Sequence, residues 1–304
     1  MPGPQSASSR WLRVAKSSLF VAILGVLLAY VASQWHHLRT LDPPRGDFLA
    51  WATLALFAML ALAAWNLQLL LKAQGFRVSF LQASALRYLP LLGTFIPGKV
   101  WSILGAFMLY AQQRIPKAAA AANIVIVNVV GLTSGLLLAL AIGTSLISTT
   151  PLLIAVVIGL AAISLYPPIF AGLTGKLQLL LGRDEATIQL PFFTLLRYFL
   201  VNVVVHLGYG FSFHLFAQSF ADVPLAALPT TVALFIAAQI AGFIAVFAPG
   251  GLGVREGVLI AGLTPLVGTA PAIAISLGCR VWQTVLEIAA GALGIWATRP
   301  ASDG

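Results

Sequence analysis

About seven apolar runs long enough to cross a bilayer recur along this 304-residue chain, at 18–34, 48–71, 118–147, 151–174, 192–217, 229–248 and 271–298. A helix crossing a ~30 Å hydrocarbon core needs about 20 apolar residues. Lipid offers the backbone no hydrogen-bond partner, so runs of this length read as helices. Composition agrees: 60% of residues are apolar and 8% charged, against roughly 25% charged in an ordinary soluble domain. A water-soluble globule is excluded, and no length remains for a soluble catalytic domain. The expected fold is all-α, a polytopic integral membrane helical bundle of about seven to eight transmembrane helices.

The domain reading follows the runs. Residues 1–17 form a basic tail with Arg10, Arg13 and Lys16, residues 18–298 a single transmembrane domain, and 299–304 a short tail. The run at 18–34 resembles a signal peptide, but its length and the spans that follow favour an uncleaved anchor. Two segments do not fit a straight crossing. Residues 81–112 are too many for one crossing and too few for two, and Pro97-Gly98 interrupts them before Lys99; a re-entrant hairpin is expected. Residues 250–270 are short, glycine-rich and carry Arg255-Glu256, reading as a second half-helix or hairpin. Irregular backbone at membrane depth is tolerated where it lines a cavity, and the phrases Phe95-Ile96-Pro97-Gly98 and Phe247-Ala248-Pro249-Gly250 hint at a duplication around one.

Net charge is +9, from 17 Lys and Arg against 8 Asp and Glu. Most of the cations flank apolar runs, which is topology information rather than a nucleic-acid signal. With the N-terminus in the cytoplasm, that side receives Arg10, Arg13, Lys16, Lys72, Arg77, Arg87, Arg114, Lys117, Lys176, Arg183, Arg197 and Arg255. The outer side keeps Arg39, Arg45 and Arg299, and the C-terminus is expected outside. The expected location is the cytoplasmic (inner) membrane.

Charge at membrane depth costs on the order of 2.5–3.5 kcal/mol even on the lenient insertion scale, so each such residue asks for a partner or a ligand. Arg280, Gln283, Thr284 and Glu287 recur at helical spacing and share one face. They form either an ion pair that fixes packing or a surface where Arg280 meets an anionic group and Glu287 a cation or proton. Lys99 opens a restarting helix whose free amides attract anions, or it snorkels to the interface. Arg255 offers a fork suited to phosphate, among glycines that allow close backbone approach, or else Arg255-Glu256 caps the next helix. The candidate headgroup-binding residues are thus Lys99, Arg255, Glu256, Arg280 and Glu287. The candidate cavity wall is Pro97, Gly98, Gly250, Gly251, Gly253, Gln283, Asn202 and His206. Gly131 and Gly135 bracket a small-residue motif that predicts close helix packing.

Much common chemistry is missing. There is no phosphate-loop, dinucleotide, zinc-protease or nucleophile-elbow motif, and Cys279 is the single cysteine. No enzyme activity, metal or cofactor is expected.

The segment from Pro249 to Gly257, Pro-Gly-Gly-Leu-Gly-Val-Arg-Glu-Gly, with the upstream Phe95-Ile-Pro-Gly-Lys-Val-Trp101, resembles the lysylphosphatidylglycerol synthase transmembrane-domain family, also described as flippase-like. The resemblance covers nearly the whole chain and places Lys99, Arg255 and Glu256 at the family's motif positions. It implies a stand-alone member, without the aminoacyl-transferase half, that translocates an anionic or modified phospholipid or a lipid-linked intermediate. At Asn128 an amide stands where the resemblance implies an acid, which argues against a cationic lysyl headgroup. The alternative is a non-transporting subunit or scaffold for a lipid-linked glycosyltransferase. The partners implied are a phospholipid or polyprenyl-linked lipid and, on the alternative, that transferase.

Overall fold

A computed structural model describes residues 43–95, 100–143, 151–172, 176, 190–245 and 248–296. The described residues contain no strand and nine helices of thirteen residues or more. These are α1 (Gly46–Ala73), α2 (Phe80–Leu92), α3 (Val100–Gln112), α4 (Lys117–Gly143), α5 (Pro151–Ser164), α6 (Phe192–Phe220), α7 (Leu228–Ile244), α8 (Val254–Val267) and α9 (Thr269–Trp296). Five stretches are long and apolar enough to span a membrane: α1, α4, α6, Leu225–Ile244 containing α7, and α9 over Thr269–Gly294. The run at 18–34 and the tails lie outside the described residues.

Helix α1 packs antiparallel on α6. Near the start of α1, Arg45 donates to the Gln218 carbonyl and pairs with Asp222 at 3.1 Å, while near the other end Asn66 donates to the Tyr198 carbonyl. Helix α1 stops at Gly75, whose φ of +88° suits the left-handed residue that ends a helix. Lys72 lies in the last turn, where a cation complements the helix dipole. A reciprocal cap starts α2: Ser79 Oγ accepts from the Gln82 amide, and Gln82 Oε1 accepts from the Ser79 amide at 2.7 Å.

From there α2 and α3 form the first hairpin. Each has thirteen residues, about 20 Å at 1.5 Å per residue and too short to cross. A 3-10 turn, Gly93–Phe95, ends the first arm. A Cβ on Gly93 would lie 2.5 Å from the Ser102 amide, so only glycine admits α3 this close. Residues 96–99, with Pro97, Gly98 and Lys99, lie outside the described residues.

Helices α7 and α8 form a second hairpin from the opposite side. Helix α7 begins beside the far end of α4, where Val232 and Ile236 pack on Leu138 and Ala139. It ends beside Gly250 and Gly251, whose φ values of +59° and +71° turn the chain. A Cβ on Gly251 would stand 2.7 Å from the Gly242 Cα. Helix α8 then returns along α7, with Gly262 against Leu234, and α9 crosses back until Gly294 meets Leu81 and Ala85 at the base of the first hairpin. The sequence reading took 229–248 as a full crossing and 250–270 as a separate element. In the structure the two are arms of one hairpin, because three positive-φ glycines, Gly250, Gly251 and Gly253, reverse the chain.

The C-terminal residues expected outside, 297–304, lie beyond the described residues. Helix α9 ends on the side of Lys72, Arg77, Arg114 and Lys117, opposite Arg45, Asp47 and Asp222. Fluorescent or cysteine tags at the C-terminus and within 114–117, on a Cys279→Ser background, should both be inaccessible from outside intact cells. Labelling of the C-terminal tag alone would contradict this path. Gly251→Ala should lower stability by about 1–3 kcal/mol, from positive φ together with the clash, read as thermal unfolding in detergent.

Candidate functional site

Where the two hairpins point at each other, their tips meet. The Arg280 guanidinium from α9 lies between them, donating through Nη2 to the Gly250 carbonyl of one tip and standing 5.0 Å over the Phe95 ring of the other. Arg280 is 7% exposed. It thereby satisfies a carbonyl freed by the turn, at a depth where an unpaired one would cost about 1–3 kcal/mol.

Next to it, Gln283 is a hub. Its Oε1 accepts from Arg255 Nη2 at 2.5 Å and from Gln239 Nε2 at 3.2 Å, while its Nε2 donates to Glu287 Oε1 at 2.8 Å. Arg255, 4% exposed, also lies 5.4 Å from the Phe235 ring centroid. Four residues of α9, Arg280, Gln283, Thr284 and Glu287, line one cavity of about 170 Å³ with Arg255, Gly250 and Phe95. The helical spacing read from the sequence is thus realised as one wall. Arg280 and Glu287 form no ion pair; one is held by the Gly250 carbonyl and the other by Gln283. The Nε atoms of Arg255 and Arg280 are buried without a partner among the described residues.

A larger cavity, about 360 Å³, adjoins the first through Leu91, Thr94, Gln239, Phe243, Gln283 and Glu287, which line both. Its wall is mostly apolar, with a polar cluster of Arg87, Tyr110, Asn128, His206 and Tyr209. At its edge Leu91, Ile103 and Phe243 are 37%, 46% and 47% exposed, so the chamber opens sideways between the hairpins onto a surface suited to acyl chains.

Several expected placements change. Glu256 lines neither cavity: its Oε2 accepts from the Gly253 amide at 2.7 Å, capping α8. Successive helix residues face about 100° apart, so it cannot share the direction of Arg255. Asn202 lines neither cavity, because its amide donates back to the Tyr198 carbonyl. His206 lines the larger one, where its Nδ1 lies 2.8 Å from the Asn202 carbonyl oxygen. Gly250 lines the smaller one, while Gly251 serves helix contact and Gly253 starts α8. Gly135 lets His206 approach closely, whereas Gly131 faces the larger cavity. Sequence reasoning missed Arg87, counting it with the cytoplasmic cations, and Gln239. Neither has a motif; Arg87 is visible only as a cation inside an apolar helix, seven residues after Phe80.

These features define a polytopic helical membrane protein with a polar chamber inside an apolar bundle. The chain belongs to the family of the lysylphosphatidylglycerol synthase TM region, whose sequence model matches residues 11–291. It is thus a multi-pass membrane protein of a lipid-handling family. No curated protein matches it.

Arg280→Met should cost about 2–4 kcal/mol of stability, from the orphaned Gly250 carbonyl and the lost ring contact. Because Arg280 and Glu287 do not touch, adding Glu287→Gln should not restore it. The double variant should be no more stable than Arg280→Met alone, measured by thermal unfolding in lipid-detergent micelles.

Proposed function

We propose that the protein translocates an anionic or modified phospholipid, or a lipid-linked intermediate, across the cytoplasmic membrane, with its N-terminus in the cytoplasm. The observation that carries this reading is the side-open chamber. Its exposed rim of Leu91, Ile103 and Phe243 is matched to acyl chains, and its depth is matched to a charged headgroup by Gln239, Gln283 and Glu287. A headgroup dragged through lipid alone would lose its hydration without replacement. The polar wall supplies substitute contacts while the chains stay in the bilayer.

In this reading Arg255 and Arg280 set a positive field at the meeting of the tips. Charge-counting favours an anion: among the residues lining the two cavities, Arg87, Arg255 and Arg280 against Glu287 leave two formal positive charges (3 − 1 = 2). We assign the chain no covalent step.

The test is headgroup-dependent flipping by the purified protein alone in phosphatidylcholine liposomes carrying fluorescent phosphatidylglycerol. The wild type should accelerate exchange of the anionic lipid over a neutral analogue. Arg255→Lys keeps the charge but loses the planar contact with Gln283 and the Phe235 ring. It should slow exchange about tenfold or more while unfolding near the wild-type temperature. Wild-type rates equal to empty liposomes, with a membrane glycosyltransferase retained on purification, would instead support the scaffold reading.

A further inference from the structure

Of the three arginines that line the two cavities, two are occupied by the protein itself: Arg255 by Gln283 and Arg280 by the Gly250 carbonyl. The third is not. Arg87 lines the larger cavity, and its guanidinium has no hydrogen bond or ion pair with any described residue. Tyr88, Tyr110, Tyr198 and Tyr209 lie within its electrostatic reach, and Glu287 is near enough to feel its charge. Tyr209 and Tyr110 share the cavity wall with it, as do Asn128 and His206.

Arg87 is half-buried in the cavity wall, and its charge is not compensated there by the carboxylate of any described residue in hydrogen-bond reach. Glu287 does not neutralise it, because its Oε1 is engaged by Gln283 and no ion pair forms. The surrounding tyrosines are neutral hydrogen-bonding groups, which tolerate an anion as a carboxylate would not. Asn128, on the same wall, turns its own amide back to the Ile124 carbonyl at 2.7 Å and adds no negative charge. What remains is a fork of donors facing a chamber that opens onto lipid, the geometry that takes a phosphate by two parallel N–H bonds.

We propose that Arg87 is the phosphate receptor of the larger cavity, binding the phosphate of an anionic lipid headgroup that enters between the hairpins. The ligand's being a lipid rests on the translocation reading; the phosphate chemistry rests on Arg87 alone. Arg255 and Arg280 then act behind it as fixed structural charges.

The experiment uses the purified full chain in phosphatidylcholine nanodiscs, with phosphatidylglycerol titrated in and bound lipid counted by native mass spectrometry. Glycerol 1-phosphate is titrated separately from the buffer. Wild type should prefer phosphatidylglycerol over phosphatidylcholine. Arg87→Gln should weaken the anionic lipid about ten- to hundredfold, the range of a lost charge-assisted contact, and leave phosphatidylcholine unchanged. Glycerol 1-phosphate binding as tightly as the lipid, and equally dependent on Arg87, would make the source a soluble phosphate and keep the receptor. Should Arg87→Gln fail to fold, Asn128→Asp carries the test: a carboxylate on the wall of the same cavity as Arg87 should weaken phosphatidylglycerol about tenfold, and Asn128→Leu should not. Undiminished phosphatidylglycerol binding in Arg87→Gln, or in Asn128→Asp where that variant stands in, would overturn the proposal, as would a wild type without preference for the anion. Arg87-dependent binding with no flipping in liposomes would overturn translocation and leave the receptor standing.

Discussion

Arg280 joins two chain reversals that would otherwise end in lipid. The turn of the second hairpin leaves the Gly250 carbonyl to be satisfied by a side chain, since lipid offers it no partner. One guanidinium meets both hairpins, standing over the face of the Phe95 ring on one side and donating to the Gly250 carbonyl on the other. The remaining geometry depends on that contact. With the tips held together, arms of about 20–26 Å entering from opposite sides jointly bridge the bilayer, and the gap beside their junction becomes the chamber. A continuous helix in either place would have filled it.

The same junction explains why the polar residues are arranged as a relay and not as ion pairs. A buried pair repays its desolvation only when every remaining donor and acceptor is met. Gln283 does this cheaply: a neutral amide can accept from Arg255 and Gln239 and donate to Glu287 at once, with no second charge to desolvate. Charge is thereby spread along the α9 wall without being cancelled, so the wall keeps a field that a ligand can feel. Glu256, one residue from Arg255, is spent on a helix cap instead, which separates the two members of a motif that looks in sequence like a pair.

Reading the sequence reached the bundle and the α9 wall because both rest on short-range periodicity. Long apolar runs make helices, and positions 280, 283, 284 and 287 fall on one face whatever surrounds them. It reached the first hairpin through Pro97-Gly98 and a run of inconvenient length. It did not reach the second, because α7 with its 3-10 lead-in is apolar and long enough to cross; only contacts with α4 and α8 reveal that it stops short. The parity of the chain beyond that point went with it. Arg87 escaped for a related reason. Counting cations by side treats each as a loop residue, and nothing local distinguishes an arginine that ends a span from one that sits inside a hairpin arm facing a cavity.

Asn128 links these threads. An acid at that position would stand on the same wall as Arg87, and the formal charge of the chamber would fall from two positive to one. Such a chamber would accommodate a headgroup carrying both a phosphate and an ammonium, with one wall residue for each. The amide removes the second partner and leaves the first. Selectivity would then be decided by what the site leaves uncompensated: an anionic headgroup supplies the missing charge, whereas an added ammonium would be buried opposite a neutral amide at the cost of its hydration. On the proposed reading, the neutral Asn128 on α4 would bias a general polar chamber toward anions without altering the hairpins that create it.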